Sequence, residues 1–120
     1  MSRIMLAEDD MTMVTLLKTL LGMEGYQVVA LSVEDDDVYE AVRKDRPDVL
    51  LLDVHLPHVN GLDILDRVRG DEETKDQKVV MTSGLNLELE CKNHGANDFL
   101  LKPYMPDDLL KILQRNLNPS

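Results

Sequence analysis

Five short apolar runs recur along the chain: RIMLA (3–7), YQVVAL (26–31), DVLLL (48–52), KVVMT (78–82) and DFLL (98–101). They leave little room for the apolar-in, polar-out alternation of a half-exposed sheet, so each strand they form needs cover on both faces. The intervening stretches supply that cover. Met13, Leu16, Leu17 and Leu20 share a helical face within 11–24, and Gly25 provides a left-handed stop. Val38, Ala41 and Val42 follow the acid-rich start of EDDDVYEAVRKD, which suits a helix N-terminus. Ile64, Leu65 and Val68 follow Gly61, and Leu109, Ile112, Leu113 and Leu117 follow the helix start at Pro106-Asp107. Residues 86–94 predict a weakly amphipathic helix ended by Gly95. Strand then helix, five times over, implies an α/β domain with right-handed crossovers. The leading arrangement is a doubly wound five-stranded parallel sheet, order 2-1-3-4-5, with helices on both faces, as in flavodoxin-like folds.

At 120 residues the chain is read as one domain over 1–118, with 119–120 (Pro119-Ser120) as a C-terminal tail or the start of a linker. Apolar residues make up 43% of it, enough for a packed core. No apolar run approaches the ~18–20 residues of a membrane span, and Met1-Ser2-Arg3 leads straight into a strand without a secretory core. Thirteen basic and 23 acidic residues give a net charge of −10, which opposes binding to nucleic acid or to an anionic membrane surface. The lone Cys91 cannot close an internal disulfide and reads as a small apolar helix residue, so the expected setting is a reducing cytoplasm.

In this fold, ligands bind beyond the carboxyl ends of the strands, where the strand order reverses. The first strand ends in Glu8-Asp9-Asp10, the third in Asp53, the fourth in Thr82-Ser83-Gly84 and the fifth in Lys102-Pro103. Three carboxylates brought together either take up protons or gather a cation. An all-oxygen donor set with room for water suits Mg²⁺. With Mg²⁺ and Lys102 present, the pocket attracts a phosphoryl group, and Asp53 becomes a candidate nucleophile able to form an acyl phosphate. Ser83 is placed to donate to a phosphoryl oxygen. Taken singly, each residue has a plainer use: Asp9 or Asp10 as a helix cap, Ser83 as a turn residue, Lys102 as a surface lysine. Their convergence from four strand ends favours the shared site.

The segments IMLAEDD, VLLLDVHLPHVNGLDIL, VVMTSG and GANDFLLKPY resemble the signature segments of response-regulator receiver domains of two-component signalling, over essentially the whole chain. The resemblance implies that Asp53 is the phosphoacceptor and that Ser83 and Lys102 act with it. It implies Mg²⁺ (or Mn²⁺) held by Asp9 directly, Glu8 through water, Asp53 and the backbone carbonyl of His55. Ser83 and Phe99 take the switch positions, and Pro57, Gly61 and a cis-bonded Pro103 take the structural loop positions. The His55 side chain and Leu85 fall at rim positions that tune how long the phosphoryl group lasts. Leu85 offers nothing to orient water, so loss is expected to be slow unless His55 compensates.

By the same resemblance the chain is a signalling switch that assists its own phosphorylation and dephosphorylation, rather than an enzyme with external turnover. Its partners would be a sensor histidine kinase or phosphotransfer protein, and a downstream effector or fused output domain reached through the fourth helix, fifth strand and fifth helix. Two rivals fit less well. A haloacid-dehalogenase-like phosphatase wants a second aspartate two residues after the first, where His55 stands. A flavodoxin wants a hydroxyl-rich phosphate loop where Glu8-Asp9-Asp10 stands.

Overall fold

A computed structural model describes residues 2–33 and 36–118. Five strands, β1 (Arg3–Ala7), β2 (Gln27–Ala30), β3 (Val49–Asp53), β4 (Lys78–Ser83) and β5 (Asp98–Leu101), alternate with five helices: α1 (Met11–Met23), α2 (Val38–Asp45), α3 (Gly61–Gly70), α4 (Glu88–Asn93) and α5 (Pro106–Leu117). All neighbouring strands are parallel, in the order β2-β1-β3-β4-β5. The sequence-derived fold and strand order are therefore those observed. Glu34, Asp35 and the tail at 119–120 lie outside the described residues.

The period-two alternation of the strands divides the core into two layers. Met5, Ala7, Leu50, Leu52, Val79, Met81 and Phe99 pack under α2, α3 and α4. Ile4, Leu6, Val49, Leu51, Val80 and Leu100 pack under α1 and α5. Every residue of β3 is buried, as its unbroken apolar run requires.

One face differs from the sequence reading. The buried stripe of α1 is Val14, Leu17 and Leu21, and Leu16 is 58% exposed. Met13 and Leu20 flank the stripe, partly buried. The helix carries apolar residues around most of its circumference, so spacing alone left its rotation open. Asp10 caps α1, accepting from the N–H groups of Thr12 and Met13 at 3.0 and 3.2 Å. Gly25 and Gly95 both take positive φ, at 90° and 104°, as helix stops.

The fourth helix is shorter than the stretch 86–94 expected for it. It begins without a side-chain cap and buries only Cys91. Its C-terminal end is better held. The Arg69 guanidinium donates to the Gly95 carbonyl at 2.9 Å and to Asn97 Oδ1 at 2.9 Å, and His94 Nδ1 meets Asp66 Oδ1 at 2.8 Å.

Gly61 brings the start of α3 against β3. A Cβ there would lie 2.4 Å from the Asp53 carbonyl oxygen and 2.9 Å from Val54 Cα. Gly61→Ala is expected to cost about 2–3 kcal/mol, read from urea unfolding, because both obstructing atoms are backbone. The Asp66 contact, chiefly by its hydrogen bond, raises the His94 pKa above the ordinary 6.5. The protonated pair therefore stabilises the fold fully below that value, and the gain is lost as pH rises through the raised pKa. In an NMR titration, Asp66→Asn should return the His94 midpoint toward 6.5.

Candidate functional site

Strand register aligns the candidate residues before their side chains are considered. Ala7 pairs with Leu52, Asp53 with Thr82 and Ser83 with Leu101. The ladder runs one step further through Val54 N–H to the Thr82 carbonyl, 2.9 Å, and Lys102 N–H to the Ser83 carbonyl, 2.8 Å. Glu8, Asp53, Ser83 and Lys102 thus leave four adjacent strands at one sheet edge. Alternation also assigns their faces. Glu8, Asp53 and Lys102 continue the rows of Leu6, Leu51 and Leu100, on the α1/α5 side. Ser83 continues the row of Val79 and Met81, on the side of Phe99.

The three carboxylates meet. One oxygen each from Glu8, Asp9 and Asp53 lies within 4.8 Å of the others. Glu8 and Asp53 are buried and Asp9 is exposed. Lys102 Nζ donates to Asp53 Oδ2 at 2.8 Å and also to Glu8 Oε1. The second oxygens of these acids accept backbone donors: His55 N–H to Asp53 Oδ1 at 2.9 Å, and Asp10 N–H to Glu8 Oε2 at 3.1 Å. Burial raises the Glu8 pKa, against the lowering pull of Lys102 and of the Asp10 N–H. Burial lowers that of Lys102, but hydrogen bonds and charge from Asp53 and Glu8 outweigh it and leave the pKa raised.

One ammonium faces three acids, so the cluster has charge left to attract a cation. Its donors are all oxygen, and exposed Asp9 opens it to water, which fits a hard, partly hydrated divalent ion such as Mg²⁺. The His55 carbonyl belongs to the loop that follows Asp53, and His55 forms a bridge to Asn60 there. Pro57 is exposed on that loop, and Gly61 closes it against β3. The Lys102–Pro103 bond is cis.

Ser83 is fully buried, and its Oγ accepts from Leu85 N–H at 3.0 Å. His55 Nε2 lies 3.1 Å from the same oxygen. Leu85 itself is exposed, while Phe99 is packed into the α3/α4 core. Two features had no signal in the sequence. The histidine–serine contact joins residues 28 apart. The Tyr104 hydroxyl is buried without a partner among the described residues, and burial pushes its pKa up to about 12.

Comparison with known proteins gives the same family at every level. The response regulator receiver domain family matches residues 4–114. The transcriptional regulatory protein CpxR of Klebsiella pneumoniae is 36% identical over all of this chain, which spans 51% of that protein, about half its length. The chemotaxis protein CheY of Listeria monocytogenes is 29% identical over 96% of this chain and 98% of its own. The receiver domain of the Pseudomonas aeruginosa sensor histidine kinase PA1611, solved with magnesium coordinated in its active-site cleft, superposes with a TM-score of 0.84 at 27% identity, covering 97% of each chain.

In the acid cluster, Asp9 is the carboxylate with no ion-pair partner among the described residues. With chelator present, Asp9→Asn should raise the melting temperature by roughly 2–5 °C by relieving repulsion from Glu8 and Asp53. A lower melting temperature in differential scanning calorimetry would contradict this.

Proposed function

Because the chain belongs to the response regulator receiver domain family, we propose that it accepts a phosphoryl group on Asp53 from a phosphohistidine of a sensor histidine kinase or phosphotransfer protein. Receiver domains are signalling switches of two-component systems, and the family binds Mg²⁺ in its active site. The observation that carries this reading is the meeting of Glu8, Asp9 and Asp53 with the Lys102 ammonium at the sheet edge.

On this reading, an Asp53 carboxylate oxygen attacks phosphorus. A P–O bond forms, the P–N bond to the donor imidazole breaks, and the imidazole leaves with the electron pair. Asp9, Asp53 and the His55 carbonyl would hold the Mg²⁺ (or Mn²⁺) directly, with Glu8 acting through water. The ion, when bound, would supply positive charge to the phosphoryl oxygens. Lys102 already touches Asp53 and would, together with the ion, offset part of the roughly two negative charges of the phosphoryl group. Ser83 would donate a hydrogen bond from its hydroxyl to a phosphoryl oxygen.

The placement of two side chains supports a switch. Ser83 and Phe99 lie on the same side of the sheet, on the adjacent strands β4 and β5. When Ser83 turns toward the phosphoryl group, Phe99 moves into the space it leaves, and the α4, β5 and α5 surface changes with it. That surface exposes Leu89, Leu101 and Met105, which are available to a downstream effector or a fused output domain. A few kcal/mol of differential stabilisation inverts such a two-state population.

Incubation with acetyl phosphate and Mg²⁺ should add one phosphoryl group to the intact mass. Asp53→Asn, or chelator, should abolish the gain. An Asp53→Asn chain labelled as fully as wild type would overturn the assignment.

A further inference from the structure

The contact between the His55 ring and the Ser83 hydroxyl has no part in the phosphoryl transfer described above, and its atoms define a role. Ser83 Oγ has one proton and two lone pairs. Leu85 N–H occupies one lone pair at 3.0 Å. His55 Nε2, 3.1 Å away, either receives the hydroxyl proton or donates its own to the second lone pair. In the first arrangement Ser83 has no proton left for an incoming group. In the second, both lone pairs are filled, and the hydroxyl can act only as a donor. We propose that His55 is a positioning residue that acts through Ser83: its Nε2–H fills the second lone pair of Oγ and turns the hydroxyl proton toward the phosphoryl group on Asp53.

Three further observations fit this role. Ser83 is fully buried, so no bulk water competes for its hydroxyl. The His55 backbone is held independently by its N–H to Asp53 Oδ1 and by its bridge to Asn60, so the exposed residue is anchored beside Ser83. Leu85 contributes only its backbone to Ser83, its side chain being exposed, so the imidazole is the one side chain hydrogen-bonded to that hydroxyl among the described residues. The group recognised remains a phosphoryl oxygen. What His55 adds is direction to the donor that meets it.

The inference rests on Asp53 being the phosphoacceptor, and its test separates the two claims. Phosphorylation rates with acetyl phosphate and Mg²⁺ are compared in the 120-residue chain. His55→Ala should slow labelling about two- to tenfold, the range of one hydrogen bond. The same substitution made in a Ser83→Ala background should have no further effect. His55→Gln places an amide nitrogen where Nε2 stands and should restore the rate, whereas the shorter His55→Asn should not. In the metal-free chain, Ser83→Ala should also shift the NMR signals of the His55 ring, a readout that needs no phosphorylation. Equal losses in the wild-type and Ser83→Ala backgrounds, rescue by Asn as complete as by Gln, or unmoved ring signals would each overturn the role of His55 alone. A wild-type chain that takes up no phosphoryl group would overturn it together with the reading of Asp53.

Discussion

Like charge gathered at the end of an apolar sheet is the constraint on which the rest of this molecule depends. The interior rows of β1 and β3 are buried aliphatic side chains, and each row ends in a buried carboxylate, Glu8 and Asp53. Left alone, the two would repel each other strongly where water screens poorly. Lys102, delivered by β5 from two strands away from β3, spans both. Truncating one member of so buried a group leaves its partner's charge uncompensated, at a cost of order 3–5 kcal/mol when burial is complete. The lysine therefore ties β1 and β3 to β5 at the edge where no further backbone ladder does so. It also leaves the third carboxylate, Asp9, without an ion-pair partner among the described residues, and that residual charge leaves the edge able to attract a cation.

Much of this was legible in the sequence because it follows from period and position. Unbroken apolar runs specified a parallel sheet covered on both sides, and the acids, Ser83 and Lys102 each sit just past a run, so a correct strand order was enough to bring them to one edge. The counting of alternate residues even assigns Glu8, Asp53 and Lys102 to one face and Ser83 to the other. Rotation of α1 was not legible, because Met13, Val14, Leu16, Leu17, Leu20 and Leu21 leave more than one stripe to choose from. The imidazole of His55 over Ser83 was not legible either. Position placed it at the pocket rim, but the course of the loop between Asp53 and Gly61 decides which atom the ring reaches. That course depends on the close backbone approach at Gly61, a long-range packing fact with no local signature.

The anchoring of α4 is uneven. Its C-terminal end is bound on several sides. Arg69 holds the Gly95 carbonyl and Asn97 while also bonding the carbonyls of Lys75 and Gln77, and Asn97 Oδ1 in turn accepts from Val79 N–H. Its N-terminal end, reached from Ser83 in five residues, has no side-chain cap, and Cys91 alone of the helix is buried. The less anchored end of α4 is thus the end nearer the site.

Ser83 is the residue at which these two constraints meet. Its backbone is locked into the sheet by the Lys102 N–H, so it cannot follow a ligand by moving the strand. Only its hydroxyl is free to reorient, and two donors or acceptors already surround that hydroxyl. One of them, Leu85 N–H, belongs to the segment leading into α4. A change in what Ser83 bonds on the side of Asp53 is therefore a change in how firmly the start of that segment is held. Reciprocity would follow for binding equilibria: whatever stabilises one arrangement of the 85–88 segment stabilises one arrangement of the hydroxyl, and on the proposed reading a partner docked on α4 would favour the phosphorylated state by the same free energy with which that state favours docking.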